Sequence, residues 1–286
     1  MMPMTIRKIK EITKSQQTME GAGVRLKRAF GNTSPEKYDP FLLLDDFHSD
    51  NPKDYIKGFP SHPHRGIETI TYMIRGEMKH KDSMGNGGTI KSGDVQWMTA
   101  GNGIIHSEMP CQDEGLMWGF QLWANLPSSH KMMDPRYRDI QECDMKTLET
   151  DSFFIKVICG EYQGLKGPVQ DIITHPSYFD VTVKPNSEFT YELNEKFTIF
   201  AYILEGEGLF SEEAGYLVGK DHLILWGQGT EVRIRTKDRS VRFLLISGKP
   251  IKEPIAWYGP IVMNTDDELA IAFKEYRDGT FLKHKK

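Results

Sequence analysis

Two short stretches hold the residues best suited to chemistry. "HPH" at 62–64 sets His62 and His64 one residue apart, and "GNGIIHSEMP" at 101–110 sets His106 and Glu108 at the same spacing. Glu68 follows, with three residues between it and His64. In a β-strand, residues i and i+2 point to one face. Each pair therefore projects two metal-capable side chains together, and Glu68 shares the parity of the first pair if the strand stays regular past Gly66. If the two segments meet inside one fold, three imidazoles and one carboxylate can surround a single ion. That donor set is borderline in softness and suits Fe, Mn, Co, Ni, Cu or Zn better than Ca or Mg. An octahedral ion held by four protein atoms keeps two positions for O2, water or a bidentate substrate. A tetrahedral zinc would be filled and structural. One HxH alone is weak evidence, because an isolated histidine in a β-protein is usually a hydrogen-bonding residue. Two independent pairs carry more, and Pro63 stiffens the backbone between the first two histidines.

The elements that must position these residues read as strands. Fifteen prolines and 26 glycines punctuate short apolar runs. "IETITYMI" (67–74), "GLMWGFQLWA" (115–124), "FTIFAYILEG" (197–206) and "VRFLLISG" (241–248) are rich in β-branched and aromatic residues. Such runs, closed by Gly-rich turns, predict an all-β sandwich or barrel. One helix is predicted near the C-terminus. Thr265 and Glu268 form a capping-box pattern, Leu269, Ala272, Phe273 and Tyr276 share a face, and Gly279 stops it.

The chain also echoes itself. "ITYMIRGE" (70–77) resembles "FAYILEGE" (200–207), and "SGDVQWMTAGNG" (92–103) resembles "GKDHLILWGQGT" (219–230). The offset is 130 residues for Gly76/Gly206 and 129 for Trp97/Trp226. A strand–turn–strand unit used twice predicts two β-barrels in tandem. The polar stretch "QECDMKTLETD" (141–151) is the expected break, giving domains 1–145 and 146–286. The second repeat has "NEKFTIFAYI" (194–203) where the first has its HxH, and His222 is isolated. Only the first barrel is expected to hold a metal.

Composition narrows the function classes. A net charge of −4 over 286 residues gives no electrostatic case for direct nucleic-acid or membrane-surface binding. Three scattered cysteines suggest neither a disulfide framework nor a CxxC zinc site and fit a reduced, cytoplasmic setting. The N-terminus lacks the apolar core of a secretory signal, and no run reaches the roughly 20 apolar residues of a membrane span. Nothing points to an obligate interface, so a monomer is expected. His80 and Lys81 are expected to face solvent. Trp97, Met98, Trp118, Phe120, Gln121 and Trp123 lie on strands beside the candidate ligands; most should fill the core, and some should line a pocket.

The stretch from "HPHRG" (62–66) to "HSEMP" (106–110), with "GFQLWANLP" (119–127) after it, resembles the signature of the pirin family. The likeness runs over most of the chain. It implies a bicupin: two double-stranded β-helix barrels with a C-terminal helix. It also implies an iron site, Fe(II) in its working form, in the N-terminal barrel on His62, His64, His106 and Glu108. The general cupin pattern would take its carboxylate at Glu68 instead. The pirin pattern takes it at Glu108, leaving Glu68 to orient a ligand or to serve the strand. Pirin-like proteins imply quercetin 2,3-dioxygenase chemistry, with a small aromatic substrate and O2, and with Glu108 as base. The alternative is a metal-gated regulatory cofactor that binds a protein partner without turnover. Isomerase and sugar-binding cupins form a third class, since fold alone does not fix function, but their motif spacing differs.

Overall fold

The computed structural model describes residues 5–31, 33–111, 114–211 and 215–284. The apolar runs become strands throughout. Ile67–Arg75 and Val241–Gly248 are buried on both faces along most of their length, whereas Met78–Asp82 alternates buried and exposed residues with period two. Two compact units result.

The histidine-bearing unit comprises Gln16–Glu142 and Ile251–Lys286. Its larger sheet has seven strands in the order Arg136–Ile140, Val95–Thr99, Ile67–Arg75, Met117–Asn125, Phe41–Ser49, Val24–Phe30 and Gln16–Glu20. Its smaller sheet has four, in the order Phe59–His64, Ile104–Pro110, Met78–Asp82 and Gly87–Ile90. All neighbours pair antiparallel. The other unit comprises Met1–Ser15 and Cys143–Pro250. It is built on an eight-stranded sheet, with a strand pair Glu188–Glu192 and Glu231–Arg235 beside it.

This partition differs from a cut at 145/146, because the terminal segments exchange. Ile9–Lys14 pairs with His222–Trp226, with Ile12 opposite Ile224. Ile9 and Ile12 pack against the aromatic core of the second unit, so burial draws that strand away from its sequence neighbours. At the other end, Ile261, Met263, Ala272 and Phe281 form a buried cluster with Ile105 packed on it, within the histidine-bearing unit. The helix Asp266–Arg277 opens with the expected capping box, Thr265 accepting from the Glu268 amide and Glu268 reaching back. Ala272 is its buried residue, while Tyr276 is partly exposed and meets Phe281 edge-on.

Two glycine positions explain why the motifs read as they do. Gly66, directly after "HPHR", sits at φ +78°, and a Cβ there would lie 1.9 Å from the Val262 carbonyl oxygen. Only glycine fits that turn. The echoed glycines Gly76 and Gly206 both adopt positive φ, so the repeat is conformational as well as sequential.

Candidate metal centre

His62 and His64 lie on the edge strand Phe59–His64, and His106 and Glu108 lie on its antiparallel neighbour Ile104–Pro110. The register sets His106 opposite His62 and Ile104 opposite His64. A register shift between His106 and Glu108 moves the next pairing to Glu108 with Phe59. His64, His106 and Glu108 are buried, and His62 is half-buried.

The three histidines converge. Their candidate ligand atoms all lie within 4.8 Å of one another, with His62 Nε2 and His64 Nε2 3.0 Å apart. Proton accounting makes that approach informative. His62 Nδ1 is 2.8 Å from the Pro60 carbonyl oxygen, and His64 Nδ1 is 3.0 Å from that of Pro260. A carbonyl only accepts, so each Nδ1 carries a proton, and in the neutral ring each Nε2 presents a lone pair. Two lone pairs facing at 3.0 Å repel unless a cation or a shared proton lies between them. His106 Nε2 is a buried nitrogen without a hydrogen-bond partner among the described residues. Burial keeps His64 and His106 neutral, with pKa values pushed well below the usual imidazole range and lowered further by the neighbouring histidines. Convergent imidazoles, two of them held neutral and one with an orphaned nitrogen, are what a transition metal requires. The residues present therefore fit such an ion.

The neighbouring Arg65 is fixed by the C-terminal segment. It is almost fully buried, donating to the Asn102 carbonyl, to Glu275 at 2.7 Å and to the Phe281 carbonyl at 2.6 Å, and it stacks on the Phe281 ring. The "HPHR" backbone is thus clamped beside the site.

Glu108 stands outside the tight group of three histidines. Its Oε1 accepts from Thr71 Oγ1 at 3.0 Å, and Gln121 Nε2 reaches both carboxylate oxygens at 3.3 Å. Glu68 does not continue the His62/His64 face, because the left-handed turn at Gly66 separates the two strands. Its carboxylate accepts from Thr99 Oγ1 at 2.7 Å. Burial raises its pKa, with that hydrogen bond opposing.

Beside the histidines lies a cleft of about 510 Å³. His62, His64, Gln121, Trp123 and Trp257 line one part of it, and Arg28 with Asp45 another. Trp123 meets His64 edge-on at 5.0 Å and Trp257 at 6.0 Å. Arg28 grips Asp45 through two bonds of 2.8 and 2.7 Å and also reaches Glu20. Trp97, Met98 and Phe120 are buried and lie elsewhere than the cleft lining, and Met98 packs with Leu42 and Ile67.

His80 corrects the expectation of a solvent-facing side chain. It is fully buried, stacked on Tyr137 at 4.8 Å, with its Nδ1 3.5 Å from His106 Nδ1. Lys81, the next residue, is exposed. The "HKD" spacing of 80–82 was a readable sign, being another i, i+2 pair of polar groups. Pro260 and Trp257 carried no local signal, because they reach the site from almost 200 residues away.

With that geometry in place, known proteins sort the chain. The family model described as Pirin matches residues 23–124, and that of the Pirin C-terminal cupin domain matches 178–282. Over 96% of this chain and 97% of the relative, it is 43% identical to a Pseudomonas aeruginosa protein named "Putative quercetin 2,3-dioxygenase". The chain belongs to the pirin family. Human pirin is 37% identical over 92% of this chain and 90% of its own length. Among solved structures, a quercetin 2,3-dioxygenase from Acinetobacter baumannii superposes with TM-score 0.89 at 33% identity, covering 97% of this chain and 99% of that one. Both units are accordingly cupin domains, as the pirin resemblance implies.

Proposed function

We propose that the N-terminal cupin holds one divalent transition metal, iron as Fe(II), on His62, His64, His106 and Glu108. We further propose that the protein is a quercetin 2,3-dioxygenase-type enzyme acting on a flavonol-like aromatic with O2. The observation that carries this reading is the convergence of the lone-pair-bearing Nε2 atoms, two of them 3.0 Å apart and the third orphaned. The names of the relatives at 43% and 33% identity support the substrate class.

When bound, the ion would supply Lewis acidity and access to O2 chemistry. The remaining work falls to the chain. Pro60 and Pro260 carbonyls hold two imidazoles in the ligating tautomer. Glu108 is the proton acceptor for a substrate hydroxyl, and Gln121, donating to both its oxygens, keeps the carboxylate oriented. Trp123 and Trp257 offer apolar faces to a flat ring system. The cleft volume falls inside the roughly 300–1,000 Å³ of ordinary small-molecule sites.

The test is O2 uptake with quercetin after reconstitution with Fe(II), for the wild type and for Glu108→Gln. Turnover that disappears in Glu108→Gln while metal is retained supports the base assignment. Stoichiometric metal with no uptake by the wild type would return the regulatory, partner-binding reading.

A further inference from the structure

Outside the four candidate ligands, one polar chain runs from the site into the smaller sheet. Asp82 Oδ2 lies 3.4 Å from His80 Nε2, and His80 Nδ1 lies 3.5 Å from His106 Nδ1. All three residues are buried. The register explains the alignment, since His106 stands opposite Asp82, and Glu108 opposite His80, across the strand pair.

Asp82 is firmly placed. Its Oδ1 accepts from the Met84 and Asn86 amides, each at 2.9 Å, and its Oδ2 accepts from the Asn86 side chain at 2.9 Å. Burial would raise its pKa, but these bonds and that from His80 outweigh it and hold the carboxyl below its ordinary value. An ionised carboxylate only accepts. A neutral His80 then carries its proton on Nε2, leaving a lone pair on Nδ1. That lone pair faces His106 Nδ1, which must supply the proton. His106 Nε2 is left as a lone pair, and it is the same nitrogen that finds no partner in the protein. The alternative tautomer of His106 would set two lone pairs against each other at 3.5 Å and bury an unused N–H.

We propose that Asp82 and His80 form a positioning relay that fixes the tautomer of His106 and so keeps its Nε2 free to ligate. The relay moves no net charge; it decides on which nitrogen the proton sits. Asp82 acts on the site through two imidazole rings, beyond its direct contacts. Stacking on Tyr137 holds the His80 ring in plane for both bonds. The affinity arm of the test below rests on the metal reading given above, and the tautomer arm does not.

The variants separate relay from packing. Asp82→Asn keeps an oxygen for the two amides but can present an N–H to His80, reversing both tautomers. His80→Phe keeps the stack on Tyr137 and removes the acceptor. His80→Asn sets an amide oxygen near the place of Nδ1 and restores the acceptor for His106. Nitrogen-15 NMR of the metal-free proteins at pH 8, where imidazoles are ordinarily neutral, reads the tautomer directly. Wild type is expected to show His106 protonated on Nδ1, and Asp82→Asn to show it protonated on Nε2. Co(II) affinity, measured against a chelator, should fall about 10–100-fold in Asp82→Asn and His80→Phe and return towards wild type in His80→Asn. Wild-type His106 protonated on Nε2, or an unchanged tautomer in Asp82→Asn, would overturn the relay. Equal losses in His80→Phe and His80→Asn would also overturn it, since that marks a packing role. A tautomer that switches with no change in Co(II) affinity would overturn His106 as a ligand and leave the relay standing.

Discussion

The two cupin units put opposite contents into corresponding strand pairs. In one, Phe59–His64 and Ile104–Pro110 bring three histidines together, with Glu108 on the same strand as His106. In the other, Glu188–Glu192 and Glu231–Arg235 turn in Phe189, Val232 and Ile234, all fully buried. There Phe153, Tyr162 and Phe179 close the interior further, with Tyr162 stacked on Phe189 at 5.3 Å. Burying polar rings costs free energy unless each nitrogen is satisfied. The first unit meets that cost at Nδ1 of His62 and His64, sets their Nε2 atoms against each other and leaves His106 Nε2 unmet. The second avoids it by using hydrocarbon. Backbone architecture is shared, and the choice of inward side chains decides between a site and a core.

The contrast can be broken from either side. His106→Ala should reduce bound metal from about one per chain to near zero and abolish quercetin-dependent O2 uptake; metal analysis and oxygen electrode traces check both. Phe189→Ala should leave metal content unchanged and cost about 3–5 kcal/mol in denaturant unfolding, as large aromatic truncations do.

Lys131 sharpens the comparison through pH. It is buried in the histidine-bearing unit, with Nζ donating to Asn125 at 2.6 Å and to the Gly66 and Val262 carbonyls. Burial pushes its pKa from 10.5 down to about 7. Between those values the unfolded chain holds a proton that the folded chain has released. Stability from this group therefore rises as pH climbs from about 7 towards 10.5 and is lower below that window. Lys131→Met should remove the rise and cost on the order of 1–3 kcal/mol at high pH by stranding acceptors; urea midpoints at pH 7 and pH 9.5 measure it. The smallest effect is Thr265→Ala, which removes one helix cap and should cost about 1 kcal/mol by the same method.

Much of this was legible in the sequence, and the reasons differ by residue. Strand alternation and the Gly76/Gly206 echo are local, so the repeated β architecture followed from them. The i, i+2 spacing of His62/His64 and of His106/Glu108 is also local, and the structure brings the three histidines together. What local pattern cannot carry is long-range exchange. Ile9–Lys14 joins the second unit because an apolar face found its core there. Pro260 and Trp257 arrive beside His64 by the same logic in reverse. Parity does not extend to Glu68, because the strand is not regular past Gly66, which turns the chain between Phe59–His64 and Ile67–Arg75. His80 was misread because a strand flanked by lysines at 79 and 81 looks solvated, although its alternate residues Met78, His80 and Asp82 all point inward.

The most direct measurement is a crystal structure of the Fe(II)-loaded protein with anomalous diffraction at the iron edge. The predicted result is one peak, bounded by Nε2 of His62, His64 and His106, with none in the unit built on Phe189 and Phe179. No peak at the three imidazoles, or a peak inside the aromatic-filled barrel, would contradict it.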